Sequence, residues 1–328
     1  MFKLSSEAKK YLPATIFVTF LTIFLVANPQ KYISSISDGF VLFATNVLPA
    51  LFPFFFFSKL LTGLGLGEIV GALFAKPAKL LYHAPPSAGY IFFLSILSGY
   101  PVGSKIVADA CASGIVTQSQ AKKMITFCST SGPLFVIGTV GTLMLGSPKY
   151  GYVLMFCHFF GAIVNGLFYR KKEKNALPCR EFSTQKTADL LGSSITNSVI
   201  SVLVVGGYIA IFSMIIDVLG DIKLIDTLAL CVGKLLALCH QPTALARGIV
   251  LSLLEITRGC KEFALCGVDI VTILPYIGGA LAFGGGCIAL QSMTFLSTCG
   301  VKTSYFLLSK LTQSLITFAI TFAIAQLL

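Results

Sequence analysis

Residues 90–105, YIFFLSILSGYPVGSK, begin as an apolar stretch and lose that character within a few residues. A helix needs about 20 apolar residues to cross a hydrocarbon core of about 30 Å, and residues 90–97 are too few. The stretch runs into the tip Ser98-Gly99-Tyr100-Pro101-Val102-Gly103, after which Lys105 makes the chain polar. This pattern predicts a re-entrant hairpin over residues 89–114, which enters the membrane and leaves it on the same side.

The carboxyl-terminal half contains a second stretch of the same kind. Residues 251–254, LSLL, match residues 94–97, LSIL, and residues 255–259, EITRG, follow them as a polar tip. A second hairpin is therefore predicted over residues 247–267. An apolar segment with charged residues along one side precedes each hairpin, and we expect these segments to lie in the membrane interface.

Two longer apolar segments are interrupted in their interiors. Residues 123–145 are broken by Ser129-Thr130-Ser131-Gly132-Pro133, and residues 269–298 are broken by Gly284-Gly285-Gly286. Proline and adjacent glycines commonly interrupt membrane helices. Because each interrupted segment follows a hairpin, the same order of elements occurs twice.

This order divides the chain into two repeats. The predicted units are a first transmembrane helix at residues 1–28, repeat 1 at residues 38–170, a basic cytoplasmic link at residues 171–186 and repeat 2 at residues 187–328. Basic residues before the first apolar run also fit a cleaved signal peptide, but the length of the run and its poor cleavage site favour an uncleaved span.

Composition places these segments in lipid. The 328 residues are 55% hydrophobic and 11% charged, with a mean hydropathy of +0.88. Backbone amides in lipid must be hydrogen-bonded within the chain, and the apolar runs lack the alternation of outer-membrane strands, so helices are predicted. The predicted fold is an all-α polytopic membrane protein made of two inverted-topology repeats with re-entrant hairpins and discontinuous transmembrane helices.

The basic residues predict the orientation. Those of the first half and those of the link at residues 171–186 fall on the cytoplasmic side if the amino terminus is cytoplasmic, as the positive-inside rule requires. The carboxyl terminus then lies on the opposite side, and the second repeat is inverted relative to the first. Four basic residues of the second half count against this orientation: Lys223, Lys234, Arg247 and Lys261.

The paired interruptions predict a binding site in the middle of the membrane. Non-helical backbone at that depth is tolerated only where protein or a water-filled cavity covers it, and its free groups can hold ions or substrate. The alternative is that the glycines serve only close helix packing. The candidate substrate-binding residues are Ser98, Gly99, Tyr100, Pro101, Gly103, Ser129, Thr130, Ser131, Gly132, Glu255, Thr257, Arg258, Gly259, Gly284, Gly285 and Gly286.

Charged residues at the hairpin tips allow two interpretations. Glu255 and Arg258 stand three residues apart, so they either neutralise each other across one helical turn or act on a substrate. In the second interpretation Arg258 meets an anionic group while Glu255 fixes it or takes part in ion coupling, because charges inside membranes are costly and usually functional. Lys310, like His158 and Asn165, is expected to form an interhelical hydrogen bond or to snorkel.

Several functional classes are not supported by any motif. The serines lack a GxSxG context, neither HExxH nor GxxxxGK[ST] occurs, and the three histidines and ten cysteines show no metal-ligand spacing. The sequence therefore predicts no enzyme, no metal site and no cofactor, while Na⁺ or H⁺ as a coupling ion stays open. The basic residues form no single patch, so nucleic acid is not an expected partner despite a net charge of +11.

Three motifs resemble a known family. Residues 98–105, SGYPVGSK, residues 129–135, STSGPLF, and residues 254–259, LEITRG, occur in the order typical of the YlbJ family of sporulation integral membrane proteins, which carry nucleoside-recognition Gate domains. The resemblance extends over nearly the whole chain. It implies a plan similar to that of concentrative nucleoside transporters.

The resemblance also implies a substrate and a location. The family is associated with moving dipicolinic acid from the mother cell across the outer forespore membrane, a bacterial cell membrane, during sporulation. Dipicolinate is a flat dianion, which Arg258 and the half-helix amino ends suit. A nucleoside or related solute carrier of the same fold and a non-transporting scaffold for spore-envelope assembly stay open, as do an oligomer and a partner transport protein. The lipid bilayer and a small organic anion are the expected partners.

Reporter fusions will test the predicted orientation. A reporter that is active only in the cytoplasm should be active when fused after Lys171 and inactive when fused after Leu328, because the predicted orientation places the basic link in the cytoplasm and the carboxyl terminus on the opposite side. A reporter active only outside the cytoplasm should give the reverse pattern. Cytoplasmic activity at both positions would contradict the predicted inverted topology of the two repeats.

Overall fold

A computed structural model describes residues 6–171 and 187–328 of the protein. These residues form α-helices joined by short π-helical, 3₁₀ and irregular segments, with no β-strand among them. The predicted all-α polytopic membrane fold is confirmed. Residues 1–5 of the predicted first helix, and all of the basic link except Lys171, lie outside the described residues.

The chain bends sharply after its first helix. Helix α1, Ser6–Ala27, ends at Asn28, whose side-chain oxygen accepts a hydrogen bond from the backbone N–H of Lys31. Pro29 opens the next helix, a position that suits its fixed φ and its missing N–H. The axes of Tyr11–Ala27 and Pro29–Thr45 consequently differ by 111°.

Repeat 1 begins earlier than predicted. Its long first helix consists of α2, Pro29–Leu42, a π-helical turn, Phe43–Val47, and α3, Leu48–Gly63. The predicted start at residue 38 therefore falls inside a helix. The polar residues of the first turns of α2 resemble a link in sequence, but they belong to the helix because Asn28 and Pro29 start it.

The rest of repeat 1 follows the predicted order. Its elements are α4, Leu66–Tyr82; hairpin 1, formed by α5, Ser87–Ser98, and α6, Val102–Ala112; broken span 1, formed by α7, Gln118–Met124, and a π-helix, Leu134–Met144; and α8, Pro148–Phe168. Residues 125–132, between the two parts of broken span 1, are not helical.

Repeat 2 has the same elements in the same order. They are the long helix α9, Thr187–Asp221; α10, Leu224–Leu238; hairpin 2, formed by α11, Leu245–Leu254, and α12, Ile256–Leu265; broken span 2, formed by α13, Ile270–Phe283, and α14, Gly285–Leu296; and α15, Thr303–Ala325. The predicted hairpins at residues 89–114 and 247–267 differ from the observed helices by about two residues at each end, the usual uncertainty of helix boundaries.

Within residues 6–171 and 187–328, four helices are long and apolar enough to cross a membrane, or up to six when each sharply bent pair counts as one span. The four are Pro148–Phe168, Asp189–Asp221, Ile270–Cys299 and Thr303–Ala325. The second bent pair, Ile69–Tyr82 and Ser87–Ser98, turns by 98° between α4 and hairpin 1. That bend directs the first arm of the hairpin away from the axis of α4.

Small residues bring the helices into close contact. A Cβ atom on Gly39 of α2 would lie 2.7 Å from the Cα of Ala210 in α9, so the two long helices touch backbone to backbone. A Cβ on Gly278 of α13 would lie 2.5 Å from Thr321 Oγ1 in α15. Such contacts replace the hydrophobic effect, which does not drive association between helices in lipid.

Hairpin 1 is fastened to the break of broken span 1. Ser95 Oγ donates a hydrogen bond of 2.6 Å to the backbone oxygen of Cys128, which lies in the non-helical segment. A Cβ on Gly103 in the second arm would lie 1.9 Å from the same oxygen. The absence of a side chain at Gly103 therefore lets both arms of the hairpin sit against the break.

Replacing Gly103 with alanine should destabilise the protein. The added methyl group would displace the break or the hairpin, and overpacking of this kind costs about 1–3 kcal/mol. Gly207 in α9 is the matched control, because a Cβ there meets no atom within 4 Å. In fluorescence-detected size-exclusion chromatography after heating, Gly103→Ala should lose its folded peak at a lower temperature than the wild type. Gly207→Ala should lose it at the same temperature as the wild type. Equal stability of both variants would contradict the described packing.

Candidate functional site

A cavity of about 170 Å³ lies where both hairpin tips and both broken spans meet. Hairpin 1 contributes Leu97, Ser98, Gly99 and Tyr100, and hairpin 2 contributes Glu255, Ile256 and Thr257. Broken span 1 contributes Ser131, Gly132, Leu134, Phe135 and Thr139, and broken span 2 contributes Cys287, Ile288 and Gln291. The long helices complete the wall with apolar side chains, among them Phe54 and Val205. The structure thus brings the four predicted interruptions to one place.

The tip of hairpin 1 packs directly on broken span 1. Gly99 has a φ of +77°, and a Cβ there would lie 2.4 Å from the backbone nitrogen of Gly132. Both restrictions are met by glycine alone. The hydroxyl of Tyr100 donates a hydrogen bond to the backbone oxygen of Leu281, so this tip also holds the end of α13 in broken span 2.

The tip of hairpin 2 packs on broken span 2 in a corresponding way. Gly285 has a φ of +77°, and a Cβ there would lie 2.7 Å from the backbone oxygen of Ser252. In the second arm, a Cβ on Gly259 would lie 2.4 Å from the Cβ of Ser252. Ser252 of hairpin 2 thus occupies the position that Ser95 occupies in hairpin 1, between the two arms and the broken span.

Among the described residues that line the cavity, Glu255 is the one with a charge. Its carboxylate accepts hydrogen bonds of 2.9 Å from the backbone N–H groups of Thr257 and Arg258 and so caps the amino end of α12. A carboxylate in this position compensates the positive end of the helix dipole. Hairpin 2 therefore supplies its own anion at its tip.

Helix ends of both polarities converge on the cavity. The amino ends of α6, α12, α14 and the π-helix of broken span 1 begin there, while α5, α11 and α13 end there. Amino ends attract anionic groups, and the free carbonyls of carboxyl ends can hold cations. The arrangement can accordingly bind an anionic solute together with a cation.

The predicted site residues fall into two groups. Those that line the cavity are Ser98, Gly99, Tyr100, Ser131, Gly132, Glu255 and Thr257. Those that lie outside the cavity wall are Pro101, Gly103, Ser129, Thr130, Arg258, Gly259, Gly284, Gly285 and Gly286. Thr130 donates its hydroxyl to the backbone oxygen of Ser95, and Gly284 ends α13 with a φ of +83°.

Arg258 does not enter the cavity wall. Its Nη1 donates a hydrogen bond of 2.8 Å to Oδ1 of Asp217 in α9, and both side chains are partly exposed. The predicted alternative of a Glu255–Arg258 pair is wrong for the side chains, because the Glu255 carboxylate binds backbone N–H groups instead. Asp217 is 41 residues away in the chain, so its sequence position gave no indication of the pairing.

Sequence reasoning missed Gln291, Thr139 and Cys287 as cavity residues, because each stands in an otherwise ordinary apolar segment. Asn165 forms the expected interhelical hydrogen bonds, since its side-chain amide donates to the backbone oxygens of Thr126 and Ser309. Lys310 does not snorkel but is buried, with 1% of its surface exposed.

A second, larger space opens on the other side of hairpin 1. This cleft of about 500 Å³ lies between α3, hairpin 1 and α9 and contains Lys59, Lys105 and Asp109. Lys105 Nζ lies 2.8 Å from Asp109 Oδ1, and Lys59 Nζ lies 3.8 Å from Asp109 Oδ2, so two ammonium groups share one carboxylate. We call it the basic cleft. Its boundary with the cavity includes Ser58 Oγ, 3.4 Å from Ser98 Oγ in the cavity wall.

The chain has the fold of the concentrative nucleoside transporters. Two solved structures of CNTnw show it, each 15% identical in sequence: a doubly substituted variant in an outward-facing state, with a TM-score of 0.57 over 95% of this chain and 86% of that one, and an inward-facing substrate-bound state, with a TM-score of 0.55 over 96% and 86%. Such a low identity supports the fold alone.

Its sequence is homologous to that of a sporulation protein. The sporulation integral membrane protein YlbJ of Bacillus subtilis (strain 168) is 27% identical over 319 residues, which are 90% of this chain and 78% of that protein. The predicted resemblance is thereby confirmed. No protein-family model matches the sequence.

Substitutions of Arg258 and Asp217 will distinguish two roles of Arg258, pairing with Asp217 and binding the substrate. If Arg258 only pairs with Asp217, then Arg258→Ala and Asp217→Ala should lower transport and stability alike, and the double variant should be no worse than either, as expected for coupled residues. Transport of a labelled organic anion in liposomes and thermal stability would be measured for all four proteins. Loss of anion binding in Arg258→Ala with normal binding in Asp217→Ala would instead place Arg258 on the substrate.

Proposed function

We propose that the protein is a secondary transporter of a small organic anion, with dipicolinate as the leading substrate. The main observation in support of this proposal is that two hairpin tips and two broken spans converge on one cavity in the interior of the helical bundle. A scaffold has no need of interrupted helices around a cavity. In transporters that work by alternating access, the central binding site is typically formed by discontinuous helices of this kind.

The size of the cavity supports a small, ring-shaped solute. An apolar protein cavity of about 150 Å³ is known to accept benzene. The cavity of about 170 Å³ is therefore large enough for one six-membered aromatic ring, whereas a base with an attached sugar needs more room. Phe54, Phe135 and Tyr100 supply apolar and aromatic surface for such a ring, and the hydroxyls of Ser98 and Ser131 are suited to polar substituents.

The surrounding charge supports an anion. Amino ends of helices meet at the cavity, and that of α12 is already compensated by Glu255. The basic cleft, with an excess of one positive charge among Lys59, Lys105 and Asp109, lies next to the cavity behind the Ser58–Ser98 contact. A cleft of one sign raises the local concentration of oppositely charged solute. We propose that the basic cleft is the route by which the anion reaches the cavity.

A neutral, nucleoside-like solute is the second candidate. Glu255 in the cavity wall favours it, because a carboxylate accepts hydrogen bonds from sugar hydroxyls and repels anions. The shared fold with concentrative nucleoside transporters supports the same candidate. The homologous sporulation protein supports a role in spore formation, for which we propose the outer forespore membrane as the location, with the amino terminus cytoplasmic and the carboxyl terminus opposite.

Flux measurements with the purified protein in liposomes will test the substrate. Labelled dipicolinate should enter in a saturable manner, and unlabelled nucleosides should not compete. Nucleoside uptake without dipicolinate flux would establish the second candidate. Absence of both fluxes in a folded sample would contradict transport of either solute by this chain alone and favour a scaffold or a required partner protein.

Charge exchanges in the basic cleft will test the route. The double variant Lys59→Gln/Lys105→Gln should lower dipicolinate uptake at low ionic strength by roughly tenfold, and the difference should shrink as salt is added. Asp109→Asn should raise uptake, because it removes the negative charge of the cleft. Lys234→Gln, on the exposed side of α10, is the control and should change nothing. Equal effects of the cleft and control exchanges would exclude the cleft as the route.

A further inference from the structure

Lys310 is an ammonium group buried in the middle of the last helix. Its side chain is 1% exposed, and Nζ donates hydrogen bonds of 2.8 Å to the backbone oxygen of Ser129 and to Oε1 of Gln313. Nζ also lies 4.9 Å from the ring centroid of Tyr100, at the tip of hairpin 1. Lys310 therefore joins α15 to broken span 1 and to hairpin 1.

The charge of Lys310 has no carboxylate partner. Within residues 6–171 and 187–328, no Asp or Glu forms an ion pair with it. Its neighbours are a backbone oxygen, a side-chain amide and an aromatic face, which are the groups that hold a small cation without neutralising it. Ionisable residues at this depth in membrane proteins are rare, and they mark ion or proton pathways.

His158 of α8 contacts the same non-helical segment of broken span 1 as Lys310 does. Its Nε2 accepts a hydrogen bond of 2.8 Å from the backbone N–H of Ser131, a cavity residue. The neutral ring consequently carries its proton on Nδ1, which is buried and has no hydrogen-bond partner in the part of the chain that the structure describes. The ring also packs edge-on against Tyr100, with centroids 6.2 Å apart. Protonation of His158 would remove the acceptor that fixes Ser131, so this position favours the neutral form.

We propose, building on the proposed transport function, that Lys310 is a built-in coupling cation and that transport is driven by protons rather than by sodium. In the protonated state the ammonium holds the Ser129 oxygen and attracts the Tyr100 ring, which keeps the tip of hairpin 1 against broken span 1. Loss of one proton from Nζ to water leaves an amine with two N–H groups. These suffice for Ser129 and Gln313, but the attraction for Tyr100 is gone.

Hairpin 1 then opens, and uptake of a proton closes it again. Each transport cycle would accordingly bind and release one proton at Nζ. Among the described residues, the other titratable groups beside this network are His158 from α8, Tyr100 from hairpin 1 and the buried Cys128 next to Ser129 in broken span 1. The packed helices α13 and α14 contribute Tyr276 and Cys287, which are hydrogen-bonded to Gln241 and Gln291, and hairpin 2 contributes Glu255 across the cavity.

The opening of hairpin 1 can be measured without any substrate. Cys287 lines the cavity, and Cys231 on α10 is exposed and serves as an internal reference in the same chain. N-ethylmaleimide labelling of both residues in proteoliposomes would be followed by mass spectrometry over a series of pH values. The pH series stays below about 8, under the ordinary thiol pKa of about 8.5, where both thiols are mostly protonated and both rates rise in proportion with pH, so that their ratio removes the titration of the thiols. In the wild type this ratio should rise severalfold as the pH rises.

Charge-fixing variants supply the control for this experiment. Lys310→Arg, which stays charged, should give a low ratio at every pH, and Lys310→Met, which is never charged, should give a high ratio at every pH. Should either variant fail to fold, Tyr100→Leu should give a high ratio that does not change with pH. Tyr100→Phe keeps the ring but loses the hydrogen bond to Leu281, so its ratio should be higher than in the wild type and should still rise with pH. A wild-type pH profile that survives in Lys310→Met or in Tyr100→Leu would overturn the proposal.

Measurements of dipicolinate flux then distinguish coupling to protons from coupling to sodium. Uptake by wild-type proteoliposomes should follow a pH gradient and stay unchanged when choline replaces sodium, and Lys310→Met should lose the dependence on the pH gradient. Uptake that follows a sodium gradient and ignores the pH gradient would also overturn the proposal. If the wild type carries no dipicolinate at all, the proposed substrate fails, while the labelling ratios still decide the role of Lys310.

Discussion

Every backbone amide and carbonyl at membrane depth needs a hydrogen-bond partner, and the interruptions of the helices are where such partners must come from elsewhere. In broken span 1 they come from three directions. Ser95 of hairpin 1 donates to the Cys128 oxygen, Lys310 of α15 donates to the Ser129 oxygen, and His158 of α8 accepts from the Ser131 nitrogen. The cavity exists because these contacts hold the break open between a hairpin and two helices.

The two repeats satisfy this requirement differently. In repeat 2 the break is covered by close packing, since Gly285 lies against the backbone oxygens of Ser252 and Leu254. In repeat 1 ionisable side chains, Lys310 and His158, take part in the coverage. Under the proposed role of Lys310, we expect protonation to act on the break of repeat 1 and not on the break of repeat 2.

Local signals in the sequence were sufficient to predict the hairpins and the breaks, because short apolar runs, glycines and prolines affect only the backbone of neighbouring residues. They were insufficient for the partners of charged groups. A substrate role for Arg258 stayed open because its partner Asp217 is 41 residues distant. For Lys310 the sequence allowed an interhelical hydrogen bond, which the structure shows, but it could not identify the acceptor, the backbone oxygen of Ser129, 181 residues distant. The start of α2 at Pro29 was missed because its first turns are polar, although the Asn28-Pro29 pair is a helix-starting signal.

The two hairpin tips differ in length, and this difference has a mechanical consequence. Three residues separate α5 from α6, whereas Glu255 alone separates α11 from α12 and carries hydrogen bonds to Leu251 and from Gly259 across the junction. Hairpin 2 is consequently expected to move as one rigid unit about its base. In hairpin 1 the three residues between the arms have backbone dihedral angles of their own, so the tip can change conformation while both arms stay helical, and we expect the two hairpins of a nearly symmetric protein to move in different ways.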